Sequence, residues 1–198
     1  MDKKQLIRHL KEQDFSENIL NAFSKIKRED FVPSGFKESA YEDIPLPIGK
    51  GQTISQPYTI AFMLTLLELY DNQTILEVGS GSGYVLALIN ELSKNAKIYG
   101  IEIIKELAEN SKKALKDKKS IEIFNLDGSK GLKEKAPFDR ILVSASSKEI
   151  PQKLLAQLKY NGILVCVVND SIVVVKKTNK ENKIMKYPGF VFVELIED

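Results

Sequence analysis

The stretch Leu76-Glu77-Val78-Gly79-Ser80-Gly81-Ser82-Gly83-Tyr84 decides the fold. It joins a short apolar run at residues 75–78, typical of a buried strand, to a segment at residues 84–92 that has helical character. Three glycines at alternate positions let the connecting backbone turn sharply and approach a ligand closely, because no Cβ intervenes. Ligands of open α/β sheets bind outside the carboxyl ends of the strands, so the sequence predicts a ligand site at this turn.

The strand–helix alternation continues downstream of this loop. Further strands are predicted at residues 98–102, 121–124, 138–143 and 163–168, with helices over residues 104–115 and 150–158. Such alternation predicts a doubly wound α/β fold, a mostly parallel sheet with helices on both faces. After Asn169 the helical pattern stops, and apolar runs at residues 172–176 and 190–196 predict an antiparallel C-terminal extension.

The chain upstream of the loop has a different character. Residues 2–31 carry apolar positions at helical spacing, whereas residues 32–57 are punctuated by proline and glycine, and residues 58–69 again read as a buried helix. A long irregular stretch inside a compact chain is usually functional. We therefore expect one domain over residues 1–198, with N-terminal helices and a substrate loop (1–57), a cofactor-binding α/β core (58–168) and C-terminal strands (169–198).

Composition narrows the function class. The chain has 198 residues, 43% hydrophobic and 28% charged, with a net charge of +2, which is too even to suggest nucleic acid or an anionic membrane as a partner. One cysteine and one histidine give no basis for a disulfide framework or a metal site. We expect a cytoplasmic, monomeric enzyme without a metal ion.

Two details of the glycine loop favour one cofactor over another. The dinucleotide fingerprint spaces its glycines as Gly-x-Gly-x-x-Gly, but here Gly83 comes one residue early and Tyr84 takes the fingerprint's place. Glu77, two residues before the first glycine, would repel a pyrophosphate but suits a cationic ligand. S-adenosylmethionine carries both a sulfonium and an amino group, so we expect it here rather than a nicotinamide cofactor.

Two more acids follow the next two strands. Glu102 lies nineteen residues after Gly83 and is placed to accept both hydroxyls of a ribose. Asp127, followed by Gly128, is suited to an adenine amino group. Three acids at the ends of consecutive strands, together with a glycine loop, predict a site for S-adenosylmethionine.

These features resemble those of class I methyltransferases, and the upstream motifs resemble protein-L-isoaspartate O-methyltransferases. The similarity lies in residues 28–33, 40–49, 76–83, 136–139 and 149–159, and covers roughly residues 20–168. Its most specific part is Gly51-Gln52-Thr53-Ile54-Ser55-Gln56-Pro57. The resemblance implies methyl transfer to the free α-carboxylate of L-isoaspartyl residues in damaged peptides and proteins, the first step of their repair to aspartate.

The resemblance also implies site residues. Ser55 matches the family's active-site hydroxyl and is expected to orient the substrate carboxylate; spacing alone equally allows Ser55 to cap the helix beginning near Tyr58. An ionised carboxylate needs no general base. The expected cofactor-binding residues are Thr53, Ile54, Glu77, Gly79, Ser80, Gly81, Gly83, Glu102, Ile103, Asp127 and Gly128.

Departures from the family pattern keep two other functions open. Residues 144–147 read Ser-Ala-Ser-Ser where the family is richer in alanine, and Glu194 stands in a C-terminal segment that usually carries proline. One alternative is methyl transfer to another carboxylate or to a small molecule. The other is a non-catalytic module that binds S-adenosylmethionine.

Overall fold

The computed structural model describes residues 1–196, and a seven-stranded sheet forms its centre. The strands of the chain are β1 Leu46–Gly49, β2 Gln52–Ile54, β3 Thr74–Val78, β4 Lys97–Ile101, β5 Ile121–Phe124, β6 Phe138–Ser147, β7 Leu158–Val168, β8 Ser171–Lys176 and β9 Lys183–Pro188. The helices are α1 Lys3–Glu12, α2 Glu17–Lys25, α3 Pro57–Leu66, α4 Tyr84–Leu92, α5 Lys105–Ala114 and α6 Gln152–Ala156. Short 3₁₀ turns lie at Arg28–Phe31, Ser34–Phe36, Gly128–Lys130 and Lys133–Lys135.

The strand order of the large sheet places the glycine loop at its centre. The order is β5-β4-β3-β6-β7-β8-β9, with parallel pairing from β5 to β7 and antiparallel pairing from β7 to β9. The chain winds outward from β3 to β5, then crosses back to β6 on the other side of β3. This is the topological switch point at which ligands of open α/β sheets bind.

The side chains of β3 point alternately to the two faces of the sheet and pack into both apolar clusters. Ile75 packs into the apolar cluster that includes the N-terminal helices, whereas Leu76 and Val78 pack into the cluster on the opposite face. Because successive side chains of a strand point to opposite faces, Glu77 shares the Ile75 face. A carboxylate is therefore carried into the interior at the end of a strand buried on both sides.

The sequence prediction of the parallel core is confirmed, with differences at the ends of elements. The predicted helix at residues 58–69 ends at Leu66, and Glu68 then takes a positive φ of 49°. Strand β7 begins five residues before the predicted start at residue 163. The predicted irregular stretch at residues 32–57 contains the antiparallel hairpin of β1 and β2.

The strand predicted at residues 190–196 is wrong. The last strand is β9, at Lys183–Pro188, and Gly189 leaves the ladder with a φ of +94°. Beyond it, Glu194 makes an isolated parallel bridge with Ser146. Strand β9 is an edge strand with mostly exposed side chains, so it lacks the apolar run that a sequence pattern would detect. Residues 197 and 198 of the predicted C-terminal segment lie outside the described residues.

Within residues 1–196, no helix is both long enough and apolar enough to cross a membrane.

Candidate active site

The glycine loop connects β3 to α4 and is tied to the neighbouring strand. The backbone N–H groups of Gly79 and Ser80 both donate to the Ile101 carbonyl, at 2.9 and 3.0 Å. Gly83 caps α4 in the left-handed region with a φ of 84°, and a Cβ there would come within 2.8 Å of the Leu115 Cδ1 atom. Glycine therefore suits position 83, because a side chain there would be strained by the positive φ and would require Leu115 to shift.

Glu77 is a buried carboxylate of which one oxygen accepts a hydrogen bond. Its side chain is 1% exposed, and the Ser144 hydroxyl donates to its Oε1 atom at 2.8 Å. Burial raises the pKa of Glu77 to about 8, with the Ser144 hydrogen bond lowering it and the field of Glu102 raising it. The Oε2 atom is buried with no hydrogen-bond partner among the described residues. A buried acceptor without a donor is costly, so this oxygen fits a ligand that brings a donor, such as the amino group of S-adenosylmethionine.

Glu102, directly after β4, is held in a fixed orientation. Its two oxygens accept from the backbone N–H groups of Gly81, at 2.8 Å, and Ile104, at 2.9 Å. The Asn125 amide donates to the carbonyls of Glu102 and Ile103, both at 2.8 Å. Each carboxylate oxygen keeps a lone pair, so Glu102 fits the hydroxyls of a ribose. Asn125 was missed in the sequence, because an asparagine after a strand carries no signal of its own.

Asp127 is engaged with its own turn. Its side chain accepts from the Ser129 N–H at 2.8 Å and pairs with Lys130 at 2.9 Å. Burial works to raise the pKa of Asp127, but the bonds from Lys130 and Ser129 outweigh it and hold the pKa at about 2. The carboxylate is thus ionised and fixes the turn at Gly128–Lys130. Its predicted contact with adenine stays a prediction.

Most of the predicted cofactor residues meet around two adjoining cavities at the carboxyl ends of the strands. The cavity beside β4 is lined by Thr53, Gly79, Gly81, Glu102, Ile103 and Gly128, together with Val193, Glu194, Leu195 and Ile196 of the C-terminal segment. The cavity beside α4 is lined by Thr53, Ile54, Ser55, Glu77, Gly79, Ser80 and Gly81. Gly83 and Asp127 are not among these lining residues and shape the neighbouring turns instead.

A groove adjoins these cavities on the side of α3. Ser55 and Tyr58 lie on one wall and Phe190, Val191 and Phe192 on the other. Among the described residues that line the groove, none carries an ionisable acid or base with the exception of the phenol of Tyr58. The groove is therefore a neutral surface that ends at the two cavities, with Ser55 at the junction.

Buried Arg28 fixes the backbone at this junction. Its guanidinium donates to the carbonyls of Ala40 at 2.6 Å, Ile44 at 3.1 Å and Ser55 at 3.1 Å. Burial lowers the pKa of Arg28 to about 10, so the group stays charged at neutral pH. Arg28 begins the matching motif at residues 28–33, but nothing in the sequence pattern marks this basic residue as buried.

The structure excludes one of the two interpretations of Ser55, that of a helix cap. Helix α3 has Gln56 at its N-cap position without a side-chain cap, and the N–H of Tyr58 is bonded instead by Asp43 at 2.8 Å. The capping interpretation of Ser55 is therefore wrong. Asp43 also faces Gln56 at 3.0 Å and His9 at 3.3 Å, which gives the single histidine a structural partner.

The C-terminal segment forms part of the lining of the site. The N–H of Ser146 donates to the Val193 carbonyl at 2.8 Å, and the N–H of Leu195 donates to the Ser146 carbonyl at 2.7 Å. Phe190 stacks on Phe62 of α3 with ring centroids 5.5 Å apart. Glu194, noted as a departure from the family pattern, thus lines the cavity beside β4.

A glycine loop at the switch point, with acids at the ends of consecutive parallel strands, defines a class I S-adenosylmethionine-dependent methyltransferase. The model of the protein-L-isoaspartate(D-aspartate) O-methyltransferase family matches residues 1–198. The chain belongs to this family. It is an enzyme that transfers a methyl group from S-adenosylmethionine to isoaspartyl residues of proteins.

Relatives and solved structures agree with this membership. The protein-L-isoaspartate O-methyltransferase of Thermosipho melanesiensis is 46% identical over 178 residues, 88% of this chain and 90% of that one. The enzyme of Methanococcoides burtonii is 42% identical over 198 residues, 96% and 98% of the two chains. A solved protein-L-isoaspartate O-methyltransferase superposes with a TM-score of 0.90 at 25% identity, over 98% of this chain and 65% of that chain. A Plasmodium falciparum structure described as the same enzyme, in complex with S-adenosyl-L-homocysteine, has a TM-score of 0.86 at 24% identity and full coverage of both chains.

Proposed function

We propose that Ser55 orients the free α-carboxylate of an L-isoaspartyl residue for methyl transfer, with the substrate peptide lying in the neutral groove. The observation that carries this is the place of Ser55, where the groove meets the cavity that contains Glu77. Its hydroxyl is half-buried and its backbone is fixed by Arg28. A hydroxyl donor here can hold one carboxylate oxygen while the other faces the methyl group.

Beyond orienting the carboxylate, the protein only has to align the two reactants. A carboxylate with a pKa of ~4 is ionised at neutral pH, so the acceptor needs no general base. When bound, S-adenosylmethionine supplies a methyl group made electrophilic by its sulfonium. The chain has to bring the oxygen and the methyl carbon within ~3 to 3.5 Å of each other and in line with the sulfur.

The neutral lining of the groove serves this chemistry. An arginine or lysine paired to the acceptor would reduce the nucleophilicity of its oxygen, whereas a hydroxyl orients it and leaves most of the charge in place. The resulting methyl ester is a better leaving group than the free carboxylate, so the succinimide re-forms spontaneously and part of it hydrolyses to normal aspartate. The enzyme thereby initiates repair.

We assign the cofactor to the two cavities described above. Glu77 takes the amino group, Glu102 the ribose hydroxyls, and the backbone around Gly79 and Gly81 lets the ligand approach closely. Thr53, Ile54, Ser80, Ile103 and Gly128 complete the lining, and Asp127 is proposed to reach the adenine amino group. Glu77 supports this assignment most directly, because it offers a buried oxygen with no other donor within the described chain.

The test is methyl transfer from labelled S-adenosylmethionine to a synthetic peptide with one L-isoaspartate, beside the same peptide with normal aspartate. Base-labile labelling of the isoaspartyl peptide alone is expected. Ser55→Ala should lower kcat by roughly tenfold or more, the scale of one lost hydrogen bond to a charged group. Ser24→Ala is the matched control, because Ser24 lies exposed on α2, away from the site. Unchanged turnover in Ser55→Ala would remove the proposed role, and labelling of both peptides or neither would favour another acceptor or a binding-only module.

We further propose that the enzyme works as a cytoplasmic monomer without a nucleic-acid partner. Both walls of the groove and both cavities come from one chain, and the net charge of +2 gives no basic surface field. The single cysteine is buried, as suits a reducing compartment. Light scattering after size exclusion should give about the mass of one chain, 22.3 kDa.

A further inference from the structure

Ser144 lies where the three concave surfaces of the site meet. It follows the centre of β6, within the irregularity of the β6–β7 register between Leu142 and Ser146. Its half-buried side chain lines the cavity beside β4, the cavity beside α4 and the neutral groove. At this break in the ladder, half-buried Ser144 lies between buried Val143 and Ala145 and faces the site.

The hydroxyl of Ser144 is committed to Glu77. It donates to the Glu77 Oε1 atom at 2.8 Å, while the Oε2 atom of the same carboxylate has no partner among the described residues. A hydroxyl has a single donor hydrogen, so Ser144 cannot donate to an acceptor carboxylate in the groove at the same time. Its position therefore serves the cofactor side of the site.

We propose that Ser144 is a positioning residue for the cofactor: it fixes the orientation of the Glu77 carboxylate, so that the free oxygen of Glu77 receives the amino group of S-adenosylmethionine. This goes beyond the family's methyl transfer, because it names a residue that acts on cofactor affinity through another residue. It rests on the assignment of Glu77 to the amino group.

The electrostatic surroundings of Glu77 agree with such a role. Within the described chain, Ser144 from β6 is its hydrogen-bond donor, Glu102 after β4 is the charged side chain whose field acts on it, and Tyr84 of α4 lines the same cavity as a neutral phenol. The Ser144 bond lowers the pKa of Glu77 and Glu102 raises it. Removing the hydroxyl raises the pKa further, so less of the ionised carboxylate is available to an ammonium group at pH 7.

The experiment measures dissociation constants by calorimetry at pH 7 for two ligands: S-adenosylhomocysteine and its analogue that lacks the amino group alone. Wild type, Ser144→Ala, Ser144→Thr, Glu77→Gln and the double variant Ser144→Ala/Glu77→Gln are compared. Ser144→Ala should weaken S-adenosylhomocysteine by about tenfold and the deamino analogue by less than about twofold, the scale of one hydrogen bond to a charged group. Ser144→Thr, which keeps the hydroxyl, should bind both ligands within about twofold of wild type.

The double variant shows whether the effect passes through Glu77. Ser144→Ala should add less than about twofold in the Glu77→Gln background, because coupled residues are not additive. Equal weakening of both ligands by Ser144→Ala would mean a merely structural role and would overturn the proposal. Full additivity in the double variant would also overturn it. If Glu77→Gln leaves both affinities unchanged, the assignment of Glu77 fails and the role of Ser144 fails with it, while methyl transfer to the isoaspartyl peptide would continue in wild type.

Ser147→Ala is the matched control on the same strand. The Ser147 hydroxyl lies 2.7 Å from the Glu149 carbonyl oxygen and 3.1 Å from that of Val167, either of which can accept its one hydrogen. Ser147 lines none of the three surfaces. Its affinity for S-adenosylhomocysteine should stay within about twofold of wild type, as expected for a substitution away from a binding site.

Discussion

Replacing Arg28 by methionine should destabilise the protein more than most single substitutions. The guanidinium is completely buried and donates to the carbonyls of Ala40, Glu42, Ile44 and Ser55. Methionine fills similar space without a donor, so these carbonyls lose their partner. Hydrogen bonds to a charged group contribute about 1.5–3 kcal/mol each, and neighbouring losses are not additive.

We therefore expect a loss of about 3–5 kcal/mol for Arg28→Met, the range seen when one member of a buried charged network is removed. For a chain of this size the melting temperature should fall by roughly 10 °C. Arg28→Lys should lie between wild type and Arg28→Met, because a compact ammonium group cannot span four carbonyls as the planar guanidinium does.

The assay combines urea unfolding followed by circular dichroism with methyl transfer below the melting temperature. Because Arg28 fixes the backbone of Ser55, methyl transfer by Arg28→Met should fall by about tenfold or more. The affinity for S-adenosylhomocysteine should change less. Exposed Arg8→Met is the matched control and should be within about 0.5 kcal/mol of wild type. A loss below about 1 kcal/mol in Arg28→Met would refute the reasoning, since buried carbonyls cannot lose a charged donor at so little cost.

Three further perturbations test other parts of the site. Burial raises the pKa of Glu77 from 4.5 to about 8, so between these pH values the folded state binds a proton that the unfolded state has lost. The stability of ligand-free wild type should therefore fall relative to that of Glu77→Gln as pH rises from 4.5 to 8. Urea unfolding at several pH values measures this difference. The pKa of Asp127 is lowered to about 2, so the ionised carboxylate stabilises the folded protein above the unfolded pKa of the group. The difference in stability between wild type and Asp127→Asn should disappear as pH falls from about 4 to about 2. A constant difference would count against the Ser129 and Lys130 contacts. Asp43→Ala removes the cap of the Tyr58 N–H and should cost about 1 kcal/mol in thermal unfolding; no change would mean that solvent caps α3 equally well.

The parallel core could be predicted from sequence because its signals are local and periodic. The bounds of α4, at Tyr84–Leu92, and β5, at Ile121–Phe124, agree with the predicted ranges. Apolar runs broken by glycine loops leave few other folds. The edge strand β9 could not be predicted, since its residues pair on one side only and alternate weakly between apolar and charged.

The site residues likewise divide into those whose placement could be predicted from the sequence and those whose placement could not. The positions of the residues next to the glycine loop could be predicted, because position along a strand determines which end of the sheet a residue reaches. The contacts of Arg28, Asn125 and Ser144 could not be predicted, since each contact joins segments far apart in the sequence. Ser144 bonds to Glu77 across 67 positions, and Arg28 bonds to Ser55 across 27.

The cofactor side of the site carries charged side chains and the acceptor side is neutral, and the proposed reaction explains this difference. The cofactor side carries buried Glu77 and Glu102, which suit a ligand with an ammonium group and hydroxyls. The acceptor side is neutral, although a guanidinium lies close by. Arg28 donates to backbone carbonyls, including that of Ser55, and the hydroxyl of Ser55 is the group that we propose to hold the substrate. A cation in direct contact would stabilise the ground-state carboxylate more than the transition state, in which that oxygen loses charge to the methyl group. Differential stabilisation of the transition state therefore favours placing the positive charge behind the backbone, where it fixes geometry without neutralising the nucleophile.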